Sequence, residues 1–407
     1  MLFRSAVQTD MRDWTVMVFM NARNNLQQFA ERNIGQMKEV GSTDKVAMVV
    51  ELGIKDKSTR FLVTKGGQET ISTTPNADMG DYRRVIEFMK MAKAQYPAKH
   101  YMLVLWNHGL GQLDPAKPSG VAQTGAMDSN DSAKSRGISF DDESGNYIRT
   151  PQLKKIFEEA GGVDVYASNA CLMQMAEVAY ELKDHTKAIV GSEEVMLASG
   201  FNYTRLLNLI NKNTEISPIN IGRDIVQNHK EASSGIMNGI PLFINGVGAT
   251  MSVIDSQKLV SLPAFLNKWT KAMVDNKENA AITYAITKAL RFKSPFGNDK
   301  KGELSSYVDL YDFVNMAEKK LKSEEAKMAT AVLKNYIDGR LVAGNVGMRH
   351  GYDVCKGLAI TMTIKMKPYP AKYDSAWETP YNTLDLSKDS TWDEFIDYAK
   401  AVYQGSK

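Results

Sequence analysis

The run Tyr101-Met102-Leu103-Val104-Leu105-Trp106, continued by Asn107-His108-Gly109, is the stretch on which the fold turns. Its first six residues are almost all apolar, with no alternation of apolar and polar positions. A strand written this way has both faces covered, as in a parallel sheet layered between helices. The same signature recurs on either side of it. Thr15–Met20 and Val46–Leu52 come before, with a shorter run at Arg60–Thr64 that can pair as a hairpin; Val163–Ala167 and Ala188–Gly191 come after. Helical patterns fill the gaps. One is an amphipathic stretch from Leu26 to Val40, and another runs from Asp81, a capping residue, to Tyr96, where Pro97 prevents continuation. A third opens at Thr150-Pro151, with Thr150 expected to supply the capping oxygen and Pro151 suited to the first turn. A fourth is expected from about Cys171 to Lys183. This alternation predicts an α/β fold, a mostly parallel sheet flanked by helices.

Beyond about Gly246 the character changes. Val247–Ile254 and Leu358–Ile364 read as strands, but Lys- and Ala-rich helical patterns dominate, and Thr391-Trp392-Asp393-Glu394 carries a capping-box pattern before a last helix. The expected organisation is a tail over residues 1–13, an α/β domain over 14–245, and a helix-rich C-terminal subdomain over 246–407 packed on it.

Composition narrows the chemistry. The 407 residues include 50 Lys+Arg and 47 Asp+Glu, a net charge of +3, so the basic surplus needed to neutralise nucleic-acid phosphates is missing. Two cysteines, Cys171 and Cys355, are too few for a disulfide framework or a four-cysteine zinc site. The five histidines include no pair four residues apart, which removes a zinc-protease helix motif. No apolar run reaches the length of a membrane span. The first residues lack the pattern of a signal peptide, so the compartment is left open between an internal protein and one whose leader is not in this sequence.

His108 follows the strand 101–106, and Cys171 follows the strand 163–167 in Ser168-Asn169-Ala170-Cys171-Leu172-Met173. Ligands of open parallel sheets bind at the carboxyl ends of the strands, so the sheet can bring these two residues to one edge. A free thiol is only a few per cent thiolate at neutral pH. A helix N-terminus and a nearby imidazolium would favour the anion, and the imidazole could protonate a leaving amine. The backbone N–H groups of Gly109 and Cys171 could hold an oxyanion. Against this, a lone Cys is commonly a small buried hydrophobe and a lone His a loop hydrogen-bonder. Spacing alone leaves the two readings even.

A resemblance goes further. Met79-Gly80-Asp81, Leu105–Gly109, Gly137–Gly145, Thr150-Pro151, Ala170–Met173, Glu177–Leu182, Val190–Glu194, Tyr307–Phe313, Gly357–Ile360 and Trp392–Phe395 are collinear with segments of the clostripain family of cysteine peptidases, which the chain resembles from about Trp14 to about Phe395. The resemblance implies a caspase-like fold and a bacterial thiol protease. It implies catalysis by a Cys–His dyad, with Cys171 as nucleophile and His108 as general acid/base acting through a thioester. Peptides or proteins would be the substrates of a monomer with no nucleic-acid partner, in a secreted or periplasmic setting. The dyad itself requires no cofactor; calcium, which some relatives need, points to Asp141-Asp142-Glu143, for which a solvated turn is the competing reading.

Departures matter as much. Members that cleave after Arg or Lys carry an acidic residue two positions before the nucleophile, where this chain has Asn169. The acidic residue common before Gly-Trp downstream is replaced in Ala198-Ser199-Gly200-Phe201. Asn169 and Ser199 are therefore expected to shape a pocket for a neutral side chain, unless Glu193 or Glu194 supplies the charge. The long polar segment Leu110–Arg136 is where relatives can be cut during activation, and an intact chain is the expectation here. A non-catalytic caspase-like binding protein and another Cys-dependent acyl transferase remain as alternatives.

Overall fold

The expected strand Tyr101–Trp106 lies inside β5 (Ala98–Trp106), at the centre of a nine-stranded sheet. The computed structural model describes residues 11–112, 137–196, 199–233, 236–237, 240–241, 249–292, 306–348, 351–363 and 381–406. Along the chain come β1 (Arg12–Asn21), α1 (Gln27–Val40), β2 (Val46–Ile54), β3 (Lys57–Thr64), β4 (Gly67–Pro75) and α2 (Tyr82–Gln95), then β5. After it stand α3 (Thr150–Ala160), β6 (Val165–Asn169), α4 (Ala176–Glu181), β7 (Ala188–Gly191), α5 (Tyr203–Lys212) and α6 (Pro218–Ser233). A short hairpin, β8 (Ile236–Met237) and β9 (Ile240–Pro241), precedes β10 (Ala249–Asp255). The C-terminal third adds α7 (Ser256–Leu259), α8 (Leu262–Asp275), α9 (Asn279–Lys288), β11 (Tyr307–Asp309), α10 (Leu310–Glu318) and α11 (Glu324–Tyr336). It ends with β12 (Val342–Met348), β13 (Ala359–Thr361), α12 (Asp385–Asp389) and α13 (Trp392–Gly405).

The sheet order is β12-β10-β7-β6-β5-β1-β2-β3-β4. The five central strands, β7 to β2, are parallel, and antiparallel pairs extend both edges. Side chains alternate between two apolar layers, as the period of two demands. Val16, Val18, Met48 and Val50 pack with residues of α1, α5 and α6. Met17, Phe19, Val49 and Leu105 pack with α2 and α3 and, in one continuous cluster, with Trp269, Phe313 and Trp392 of the C-terminal helices. Each such large side chain removed from water contributes roughly 1.5–3 kcal/mol.

The division expected at 245/246 falls in residues outside those described. The C-terminal part supplies two strands of the same sheet, β10 and β12, as well as the helices. β1 also takes in Arg12 and Asp13, two residues of the expected tail.

The local signals hold in part. Asp81 caps α2, its side chain accepting the Arg83 N–H, and Gly161 ends α3 with a φ of 79°. Thr150 is the first residue of α3 and not its cap; the cap is Arg149, whose N–H is taken by Gln152 Oε1 at 2.9 Å. Thr391 does precede α13, but its hydroxyl bonds Thr270 and Asn267 of α8, so the helix is docked by it and not capped. Within the strand read at Leu358–Ile364, Ala359–Thr361 form β13, which pairs with β11 outside the main sheet, and Ile364 lies outside the described residues.

Candidate active site

β5 and β6 are parallel neighbours, with Trp106 opposite Asn169. His108 and Cys171 each lie two residues beyond that pair, so equal steps from one register line carry both past the same edge. Neighbouring strands are about 4.8 Å apart, which sets the scale on which the two loops meet. Asn107 fastens the first loop: its Nδ2 donates to the Asn21 carbonyl at 2.5 Å and its Oδ1 accepts the Phe140 N–H at 2.9 Å. Gly109 then passes so close to the second loop that a Cβ there would stand 2.4 Å from the Cys171 carbonyl oxygen. Only glycine permits this approach.

The His108 ring is half-buried, and its Nε2 stands 2.7 Å from Oδ1 of Asn25, in the loop after β1. A carboxamide oxygen can only accept, so Nε2 carries the proton and the neutral ring keeps its lone pair on Nδ1. Burial lowers the His108 pKa below its usual 6.5, which makes the neutral ring the resting form at pH 7.

Cys171 is half-buried, and its Sγ accepts the Met196 N–H at 3.3 Å. Two further bonds bind its loop to the segment after β7: Leu172 N–H to the Glu194 carbonyl at 3.2 Å and Gln174 N–H to the Ser192 carbonyl at 3.0 Å. Leu172, buried, is held at a φ of 60°, a left-handed conformation that costs a non-glycine residue on the order of 1 kcal/mol. The helix expected to open at Cys171 begins only at Ala176, so the thiol is not on a helix N-terminus and draws nothing from a helix dipole. The apolar stripe that suggested it belongs to an irregular loop with buried Leu172, Met173 and Met175. The Met196 N–H stands where the dipole was expected.

Two residues before Cys171, Asn169 is buried at the end of β6, its Nδ2 donating to the Tyr203 hydroxyl at 3.2 Å. Gly200, at a φ of 61°, covers it so closely that a Cβ would stand 2.6 Å from Asn169 Nδ2. Ser199 precedes it, its carbonyl accepting Asn33 Nδ2 at 3.2 Å, and Asn33 Oδ1 takes the Trp106 indole N–H at 2.8 Å. Every named partner here is uncharged. Glu193 and Glu194 do not alter that: the Glu193 carboxyl meets Asp309 and Cys355, and the Glu194 carboxyl takes the Tyr352 hydroxyl. Ala198 and residues 113–136 of the long polar segment lie outside the described residues.

Asp141 and Glu143 of the acidic run 141–143 are spent internally. Asp141 pairs with Arg23 Nε at 2.9 Å while accepting the N–H groups of Met79, Glu143 and Ser144, and Glu143 pairs with the same guanidinium. A carboxylate set already neutralised by a buried arginine does not fit a calcium ion, which needs six to eight oxygens.

A model of the clostripain family (C11 peptidases) matches residues 18–398. The chain belongs to that family. Clostripain of Hathewaya histolytica is 28% identical over 153 residues, 34% of this chain and 26% of that protein, so the alignment spans about a quarter of the relative. Among solved structures, a secreted C11 cysteine protease of Bacteroides thetaiotaomicron bound to an irreversible peptide inhibitor is similar, with a TM-score of 0.66 at 19% identity over 94% of this chain and all of the other. An inactive zymogen C11 protease of Parabacteroides distasonis gives 0.64 at 19% identity, over 93% of this chain and 98% of its own. These likenesses establish the caspase-like α/β architecture.

For a clostripain-family chain, two residues of the site escape a reading of the sequence. Asn25 lies four residues past β1, at the strand edge that exposed His108, and the same topological rule would have found it. Met196 acts through its backbone, and no sequence pattern marks it.

Proposed function

We propose that the chain is a cysteine endopeptidase that cleaves peptide bonds of polypeptide substrates after a neutral side chain. The observation that carries this reading is the matched two-residue offset of His108 and Cys171 from the Trp106–Asn169 pair. The Cys171 thiol gives its proton to His108 Nδ1 as sulfur attacks the scissile carbonyl carbon. The resulting oxyanion lies toward the N–H groups of Gly109 and Cys171. Collapse breaks the C–N bond, the amine leaves with the proton from His108, and a thioester remains on Cys171. Water, deprotonated by His108, attacks the thioester, releasing the acid and restoring the thiol. No step calls for a metal.

The neutral preference rests on Asn169. Desolvating a guanidinium against an amide without a carboxylate should cost on the order of 3 kcal/mol, about 100-fold in transition-state binding. A fluorogenic library varied at the cleavage position tests both parts at once. Neutral residues should dominate, Cys171→Ala should abolish turnover, and strong cleavage after Arg would overturn the specificity. Secretion is the compartment we favour, as the B. thetaiotaomicron relative is a secreted protease. An intact monomer is the working form, and mass spectrometry of the purified protein beside Cys171→Ala would reveal any self-cleavage.

A further inference from the structure

The loop after β7 carries a second group of side chains that peptide hydrolysis leaves unused. Glu193 is 1% exposed, Asp309 fully buried and Cys355 2% exposed, and a carboxylate oxygen of each acid and the Cys355 Sγ lie within 4.8 Å of one another. Asp309 is fixed in place as the cap of α10: Oδ1 accepts the Asp312 N–H at 2.7 Å and Oδ2 the Lys356 N–H at 2.8 Å. Glu193 is not. Both of its oxygens are buried with no hydrogen bond completed to either, and they point at the Asp309 carboxyl and the Gly357 backbone. Among the described residues no Lys, Arg or His pairs with Glu193 or Asp309, and the Lys356 ammonium turns to Asp338, 3.4 Å away.

Buried charges require a counter-charge or a proton. A single proton can join the Glu193 and Asp309 carboxyls, since an oxygen that accepts an N–H keeps a second lone pair, but it leaves the converging Cys355 Sγ without a role.

We propose that Glu193, Asp309 and Cys355 form a buried site for one divalent transition-metal ion, zinc being the best chemical fit. A thiolate with two carboxylates is a borderline-soft donor set, suited to zinc and unsuited to calcium or magnesium, which demand oxygen shells. The ion displaces the protons of the thiol and of whichever acid holds one, and replaces like-charge repulsion with attraction. Its position also has meaning for the dyad. Glu193 stands three residues before Met196, whose N–H meets Cys171 Sγ, and the adjacent Glu194 carbonyl accepts the Leu172 N–H. The ion would tie the nucleophile's supporting loop to α10 and the segment around Cys355.

The test uses the full chain carrying Cys171→Ala, in which Cys355 is the one remaining thiol and the dyad cannot trap metal. Refolded with cadmium, it should bind one equivalent and show a cadmium–thiolate charge-transfer band that zinc removes. Adding Cys355→Ser should abolish the band, and Glu193→Gln should weaken binding by at least about tenfold, the lower end of what even an outer-shell change costs a metal site. Should either variant fail to fold, X-ray absorption of the zinc-loaded Cys171→Ala chain decides: one sulfur with oxygen scatterers supports the site. No stoichiometric metal, or a shell without sulfur, overturns it.

Discussion

Asn25 gives the imidazole of His108 its direction. With Nε2–H committed to Asn25 Oδ1, Nδ1 is the nitrogen left for proton transfer. Asn25→Ala should lower kcat/KM on the order of 100-fold, the usual penalty for a misplaced catalytic group, with little change in unfolding midpoint. In the proposed mechanism the neutral ring is the base, and burial lowers its pKa, so activity should persist to a pH below 6.5 before the acid limb sets in. Asn25→Asp places a negative charge beside the ring, favours imidazolium, and should move that limb to higher pH. A pH–rate profile of the three proteins checks both signs; an unmoved limb in Asn25→Asp would remove Asn25 from this role. The adjoining pocket is tested by Asn169→Asp, which supplies the missing counter-charge and should raise kcat/KM for an Arg substrate by about 100-fold relative to a neutral one. At this scale the chain is legible where chemistry rides on a side chain after a strand, as with His108 and Cys171. It is opaque where a backbone group acts, as with Met196.

Among the elements, α6 carries a titratable residue in a dry setting. His229 is buried, its Nε2 has no hydrogen-bond partner among the described residues, and desolvation lowers its pKa to about 4. Between pH 6.5 and 4 the unfolded chain binds a proton that the folded one refuses, so stability is full above that window and falls as pH drops through it. The loss should reach about 2 kcal/mol by pH 5. Denaturant titrations at pH 7 and 5, beside His229→Leu, should show the difference shrink in the variant. Element boundaries reveal what reading a single chain can reach. Strands β1, β2, β5, β6 and β7 are legible because double-sided burial writes a mostly apolar run. The largely exposed β4 escapes because no such run marks it. The helix expected at Cys171 fails for the opposite reason: Leu172, Met173 and Met175 are buried as a loop, and buried residues look alike whatever backbone carries them.

Across the whole molecule, the sheet and one apolar cluster run through both the residues assigned to the α/β domain and those of the C-terminal subdomain expected to pack on it. Trp269, Phe313, Trp392 and Phe395 meet one another edge-on or tilted, with ring centroids 5.1 Å apart for Trp269 and Phe395, in the same cluster as Phe19 and Leu105. A fragment of residues 14–245 would lose this layer and bare the edge of β7, an unpaired strand with a strong tendency to aggregate. It should fail to show a cooperative thermal transition by circular dichroism; a soluble fragment with a sharp transition would show that residues 14–245 fold without the C-terminal layer.

The two-residue offset from the Trp106–Asn169 pair has an evolutionary consequence. Separation of nucleophile and base is inherited from the amide lattice of the sheet, which every strand-compatible sequence reproduces. Substitutions along β5 and β6, other than at Trp106 and Asn169, that keep the strands apolar can therefore accumulate while His108 and Cys171 keep their gauge. A single-residue insertion or deletion at Asn107 or Ala170 would break it at once, so lineages of this enzyme should vary in spelling here and never in length.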